Sequence, residues 1–195
     1  MSRPTKATSK NASGTDDAGG KAVRANKSSK TSKLNMPSTT DVDAIDLLEA
    51  DHREVEDLFD QFEDATGDAQ KRDLANAICV ALKVHARFEE ELFYPAAYAA
   101  LDDKSLLEEA QVEHARAKDL IAQIGAGAPG EMFHDAWVKV LSEYIDHHVT
   151  EEEDDIFAQC RESDMDLDAL GAIMAMRKQE LMTGFVVSNP ILALS

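Results

Sequence analysis

The chain has 195 residues, with 38 acidic and 20 basic side chains and a formal net charge of −18 at pH 7. So acidic a body is repelled by nucleic acids and membrane surfaces, and no apolar run is long enough to span a bilayer. The amino terminus lacks the apolar core of a signal peptide, and Cys79 and Cys160 form no CxxC pair. These features predict a cytoplasmic protein with reduced thiols.

The positive charge is concentrated at the amino terminus. Residues 1–40 hold eight lysines and arginines against two aspartates, whereas the rest of the chain is strongly acidic. Residues 1–38 contain almost no large apolar side chains, so this segment is predicted to be a disordered tail. Two roles remain open for it, a solvated arm or an arm that contacts nucleic acid, and the absence of aromatic residues favours the first.

Residues 39–184 are predicted to form one helical domain. Long stretches of amphipathic periodicity are separated by short segments rich in glycine, aspartate and proline. The pattern predicts an all-α fold, an up-down antiparallel four-helix bundle with an additional C-terminal helix. The expected helices span residues 41–64, 69–94 (continuing weakly past Pro95, which should stop or kink it, to residue 101), 104–124, 131–160 and 167–183. Residues 185–195 are expected to be a short apolar tail.

Histidines and glutamates interrupt the apolar stripes of these helices. His85 and Glu89 are four residues apart and therefore lie on one face of a helix, together with Leu82 and Leu92. A carboxylate without a partner is costly on such a face, so a metal ion is the natural compensation.

The sequence contains an internal repeat. Asp51-His52 recurs as Glu113-His114 at an offset of 62 residues. His85, Glu89-Glu90 and Phe93-Tyr94 recur as His148, Glu152-Glu153 and Ile156-Phe157 at an offset of 63 residues. The chain is therefore predicted to consist of two copies of one helical hairpin, each with a histidine on its first helix and a His-x3-Glu pair on its second.

Six side chains from the two copies are predicted to converge on the bundle centre. Imidazole and carboxylate donors suit iron, manganese or zinc, and six donors are too many for one tetrahedral zinc ion. They suit two octahedral ions bridged by two carboxylates and an oxo or hydroxo group, with a position open to oxygen, peroxide or water. The predicted metal ligands are His52, His85, Glu89, His114, His148 and Glu152.

Several alternatives remain open. His147 with Glu151 competes with His148 and Glu152, and Glu56 is a possible additional ligand one turn after His52. Other expectations are a surface position for His134, and for Tyr94, Tyr144 and Trp137 either a place beside the open position or a place in the core. A metal-free bundle would instead bury its histidines and glutamates as hydrogen-bonded pairs and use its surface to bind partners.

The pattern His52 … His85-Ala-Arg-Phe-Glu89 … His114 … His148-Val-Thr-Glu152 resembles the hemerythrin-like HHE cation-binding domains. The resemblance covers about residues 42–160 and includes the runs FEEELFYP and EEEDDIF. It implies an up-down bundle that holds a non-haem di-iron centre.

The sequence departs from the oxygen-carrying hemerythrins in two places. Lys118 stands where their third helix has a second histidine, and their final His-x4-Asp has only His147-x4-Glu152 as its counterpart. The resemblance therefore implies reactions with oxygen, nitric oxide or peroxide, including a catalase- or peroxidase-like activity, or a role in sensing or iron handling, in place of reversible oxygen carriage.

Overall fold

The computed structural model describes the backbone of residues 42–188 and the side chains of residues 42–185. The expectations for residues 1–38, and for the tail after residue 188, lie outside the described residues. Within the described part the chain is mainly helical, with no strand, and none of its helices is long and apolar enough to cross a membrane.

Seven α-helices follow one another between residues 42 and 188, and the predicted all-α bundle is confirmed. Two π-helical segments, Glu89–Phe93 and Glu152–Ile156, join α2 to α3 and α5 to α6 without a break. The four predicted bundle helices therefore correspond to α1, α2–α3, α4 and α5–α6, and the predicted fifth helix to α7. The helices are α1 Ala44–Asp64, α2 Asp68–Phe88, α3 Tyr94–Ala100, α4 Ser105–Ala126, α5 His134–Glu151, α6 Phe157–Glu162 and α7 Leu167–Ser188.

The π-helical segments begin at the two repeated glutamates. The backbone N–H of Tyr94 donates to the carbonyl of Glu89, five residues back, and the N–H of Phe157 donates to the carbonyl of Glu152 in the same way. Pro95 follows the first segment and does not stop the helix, which continues to Ala100, close to the predicted end at residue 101. The second copy has Ala158 at the equivalent position, so proline is not the cause of the wider turn.

The apolar core consists of two clusters of buried residues. One contains Leu48, Phe88 and Phe157, and the other contains Val55, Leu82 and Leu141. Along each bundle helix, members of both clusters flank a histidine: on α1, for example, His52 lies between Leu48 and Val55. The four histidines therefore form a polar belt between two apolar layers.

The buried face of α5 differs from the apolar stripe that the sequence predicts there, which includes Phe133 and Trp137. His134 is only 4% exposed, whereas Phe133 is 65% exposed and Trp137 is 38% exposed. Phe133 has a positive φ of 72° immediately before α5, and the helix then buries Val138 and Leu141. The expectation of a surface position for His134 was wrong because the aromatic residues and the true buried face share the same helical period.

Helix α7 crosses the start of α1 at very short range. A Cβ atom added at Gly171 would contact the backbone of Val42 and lie 2.7 Å from the nitrogen of Ala44. Farther along, Met174 is fully buried, Arg177 binds Glu91, and Lys178 binds Asp51. Only glycine allows the two backbones to approach this closely.

Replacing Gly171 with alanine is therefore expected to destabilise the protein by about 1–3 kcal/mol, because the added methyl group forces two backbones apart. Urea unfolding followed by circular dichroism measures this difference. Gly125→Ala in α4 is the matched control, since a Cβ atom there meets nothing within 4 Å. Its free energy of unfolding should stay constant or rise, and an equal loss in both variants would contradict the role of close packing.

Candidate metal centre

Six buried side chains from four helices meet in the polar belt. His52 comes from α1, His85 from the end of α2, His114 from α4 and His148 from α5. Glu89 and Glu152 are the first residues of the two π-helical segments. The structure thus brings together all six residues that the sequence predicts as metal ligands.

The first group of donors contains two histidines and both glutamates. The Nε2 atoms of His52 and His85 lie 3.2 Å apart. The Nε2 atom of His85 is 3.1 Å from Oε2 of Glu89, and that of His52 is 3.5 Å from Oε2 of Glu152. All four donor atoms lie within 4.8 Å of one another.

The second group repeats this arrangement around the other two histidines. The Nε2 atoms of His114 and His148 are 3.1 Å apart. The distance from His114 Nε2 to Glu89 Oε2 is 3.4 Å, and from His148 Nε2 to Glu152 Oε2 it is 3.6 Å. Each glutamate therefore faces one histidine of each pair, which is the position a bridging carboxylate needs.

The central carboxylates are short of hydrogen-bond partners. Glu89 is fully buried and Glu152 is 1% exposed. Neither oxygen of Glu89 makes a hydrogen bond among the described residues, nor does Oε2 of Glu152. A buried carboxylate in this state is costly, and a cation between the imidazoles would supply the missing charge. The mixed nitrogen and oxygen donors fit iron, manganese or zinc.

Each of the four histidines turns its second nitrogen toward a carboxylate outside the centre. The Nδ1 atom of His52 lies 2.9 Å from Glu153, and that of His114 lies 3.1 Å from Glu90. The Nδ1 atoms of His148 and His85 face Glu113 and Asp51, at 2.8 and 3.6 Å respectively. A carboxylate at Nδ1 holds the proton there, so that Nε2 is left as the donor nitrogen and the ring is oriented.

These outer carboxylates obey the same repeat as the inner ligands, since Asp51 and Glu90 correspond to Glu113 and Glu153. From the sequence, Glu90 and Glu153 are expected on the acidic exterior or beside the ligand histidines, whereas Asp51 and Glu113 are given no role. The signal was present, because an acidic residue precedes the histidine in both first helices.

The ionisation of the centre reflects its concentrated charge. Burial lowers the pKa of His85, but the negative charges of Glu89 and Asp51 close to the ring outweigh it and raise the pKa from 6.5 to about 10. Burial raises the pKa of Glu152, yet the histidines around it hold that pKa at about 2. Burial lowers the pKa of His148 too, but its hydrogen bond to Glu113 and the nearby carboxylate charges outweigh it and raise that pKa as well. In the absence of a cation, protons on His85 and His148 therefore balance the carboxylates, and protons and metal ions compete for these imidazoles.

An aromatic residue breaks the symmetry of the centre. Tyr94 donates a hydrogen bond of 2.8 Å to Glu152, and its hydroxyl lies 3.2 Å from the Nε2 atom of His114. The equivalent residue in the other half, Phe157, stacks on His52 with ring centroids 5.8 Å apart. Burial and the neighbouring carboxylates raise the pKa of Tyr94 well above its ordinary value of 10, so the hydroxyl keeps its proton.

The alternative ligands lie outside the buried centre. The side chain of His147 is 59% exposed and that of Glu151 is 34% exposed, so the structure favours His148 and Glu152 as the inner pair. Glu56 is exposed on α1 and belongs to neither buried group. Tyr144 is half-buried beside the second apolar cluster, and it lies in the core rather than at the donors.

Comparison with known proteins agrees with this geometry. The profile of the hemerythrin HHE cation-binding domain matches residues 43–160. The crystal structure of a hemerythrin HHE cation-binding domain-containing protein from Mycobacterium kansasii superposes with a TM-score of 0.66 at 23% identity, covering 76% of this chain and 93% of the other. A DNA nickase from Nostoc sp. is 28% identical over 124 residues, which are 62% of this chain. The match spans only 34% of that relative's length.

The shifted pKa of His85 predicts how the stability of the metal-free protein depends on pH. The folded state holds the proton to about pH 10 and free imidazole only to 6.5, so this stabilisation is complete below pH 6.5 and lost as the pH rises to about 10. Thermal unfolding after chelation should therefore show a midpoint that falls across this range. His85→Gln should flatten the fall and His134→Asn should preserve it; a midpoint that rises with pH would contradict the assignment.

Proposed function

Because the chain belongs to the hemerythrin HHE cation-binding family, we propose that its buried centre binds two non-haem iron ions and handles oxygen, nitric oxide or peroxide. His52 and His85 would hold one ion, and His114 and His148 the other. Glu89 and Glu152 would bridge them together with an oxo or hydroxo group. The observation that carries the proposal is a group of buried glutamate oxygens that make no hydrogen bond within residues 42–185 and face four imidazole nitrogens.

The bound iron pair would supply the redox chemistry that the side chains lack, namely electron transfer to or from a small ligand. The chain's own contribution is to orient the donors and exclude water. The outer carboxylates fix the imidazole rings, and the two apolar clusters close the centre above and below. Tyr94 contributes a protonated hydroxyl hydrogen bonded to Glu152 and positioned beside His114.

Metal analysis of the purified protein tests the proposal directly. The wild type should retain about two iron ions per chain, and His85→Ala or His148→Ala should lower that content, because each variant removes a donor nitrogen. His134→Asn is the matched control, a buried histidine outside the centre, and should retain the iron. The same measurement distinguishes manganese and zinc, which suit the same donors.

If the chain binds no metal, even after anaerobic loading with ferrous iron, the remaining interpretation is a metal-free bundle that binds partners through its surface. A chain that binds iron and releases it readily without reacting with any small oxidant would favour iron handling.

Peroxide consumption tests the catalase-like version of the function. The iron-loaded wild type is expected to convert hydrogen peroxide to oxygen and water, followed with an oxygen electrode. Tyr94→Phe should keep its iron but react more slowly, by roughly a hundredfold, because a hydrogen-bond donor beside the centre is lost. An unchanged rate in this variant would remove Tyr94 from the reaction, and full activity in iron-free His85→Ala would place the reaction elsewhere.

We also propose nucleic-acid contact through the basic tail, as a second and separate function. Two observations favour it: the eight basic residues among the first 40 residues, and the similarity to a relative named DNA nickase. Deletion of residues 1–38 should abolish retention of double-stranded DNA at low salt, and retention by the full chain should fall steeply as salt rises. Equal retention by the shortened chain would rule out the tail as the contact.

A further inference from the structure

A third group of donor atoms lies on the outer side of His148. Glu113, His147 and Glu151 each offer one atom, and the three atoms are within 4.8 Å of one another. The Nε2 atom of His147 is 3.8 Å from Oε1 of Glu113 and 3.4 Å from Oε1 of Glu151. His147 and Glu151 form a His-x3-Glu pair one residue out of step with the buried pair, so they occupy the exterior of the same helix.

The other half of the molecule shows what this position requires. By the internal repeat, Glu113 corresponds to Asp51, His147 to Val84 and Glu151 to Phe88. At Asp51 one oxygen faces His85, and the other binds the ammonium group of Lys178 on α7. Val84 and Phe88 are buried apolar residues there.

Like Asp51, Glu113 directs one oxygen to a buried histidine and the other outward, but its outer oxygen has a different partner. Its Oε2 atom accepts the hydrogen bond of 2.8 Å from Nδ1 of His148, and its Oε1 atom faces the imidazole of His147. An ammonium group thus occupies the outer position in one half. In the other half, the equivalent position holds an exposed imidazole and a second carboxylate.

We propose that Glu113, His147 and Glu151 form a second cation site, on the surface, for a borderline divalent ion such as Zn²⁺. The ion takes the place that the Lys178 ammonium group has in the other half. One imidazole nitrogen and two carboxylate oxygens make three protein ligands, which leaves a position for water. The imidazole selects against calcium and magnesium, which prefer oxygen ligands.

The surface site is coupled to the buried centre through one carboxylate. A cation on Oε1 of Glu113 draws negative charge away from Oε2, which weakens the hydrogen bond to His148 Nδ1. A weaker bond at Nδ1 makes Nε2 a poorer donor. If the buried centre holds iron as proposed above, occupation of the surface site should lower its iron affinity on the side of His114 and His148.

Calorimetric titration of the full-length, iron-loaded protein with Zn²⁺ tests the site. The wild type should bind one Zn²⁺ at this site. His147→Ala and Glu151→Gln should bind it at least about tenfold more weakly, because the loss of a residue that merely orients a ligand already costs about tenfold in affinity. Asp146→Asn is the matched control, because it removes the same charge from the neighbouring exposed residue and leaves the three donors intact. It should bind as the wild type does.

Equal Zn²⁺ affinity in the wild type and in Glu151→Gln and His147→Ala would overturn the surface site, and so would an equal loss in Asp146→Asn. His85→Ala separates this result from the iron proposal, since it damages only the buried donors and should keep the surface Zn²⁺. Loss of the surface Zn²⁺ in His85→Ala would overturn the separation of the two sites.

Discussion

Two carboxylates buried between apolar layers set the terms for the rest of this structure. Glu89 and Glu152 have almost no exposure to water, and three of their four oxygens make no hydrogen bond among the described residues. Such groups are tolerated only where positive charge lies close to them. Protons on His85 and His148, or a cation bound between the four imidazoles, would supply that charge, and the outer carboxylates orient the imidazoles. The imidazoles therefore compensate the two buried glutamates, and the outer carboxylates hold the imidazoles in place.

The two copies of the hairpin supply equivalent residues to this centre, but the two halves are not identical. The inner ligands, the outer carboxylates and the wide helical turns all occur twice at the same offsets. The differences lie at Tyr94 against Phe157, and at Lys178 against the exposed pair His147 and Glu151. One half carries a hydroxyl at the centre, and the other carries a stacked phenyl ring. The two halves consequently offer different surroundings to whatever occupies them.

Much of the fold and of the candidate centre could be predicted because the repeat fixed the register. A lone core histidine such as His52 is ambiguous, but His114 at the same offset made both candidates for the centre. The repeat also favoured His148 over His147, and the burial of His148 agrees with that choice. The π-helical segments at Glu89 and Glu152 were not predicted, because a single wider turn leaves hardly any trace in an amphipathic pattern. His134 and Trp137 were assigned to the wrong faces of α5 because the aromatic residues repeat with the same helical period as the residues that the structure buries, His134, Val138 and Leu141.

The positions of the inner donors along the chain have a consequence for folding. His52 and Glu152 touch across the centre although 100 residues separate them, and neither hairpin alone carries a complete donor set. A bound cation would therefore act as a branched cross-link that ties all four bundle helices at mid-height. Because this cross-link would close long loops, it would lower the conformational entropy of the unfolded chain and so stabilise the folded state. Release of the ion would then destabilise all four bundle helices together. The stability of the domain would therefore depend directly on whether metal is bound.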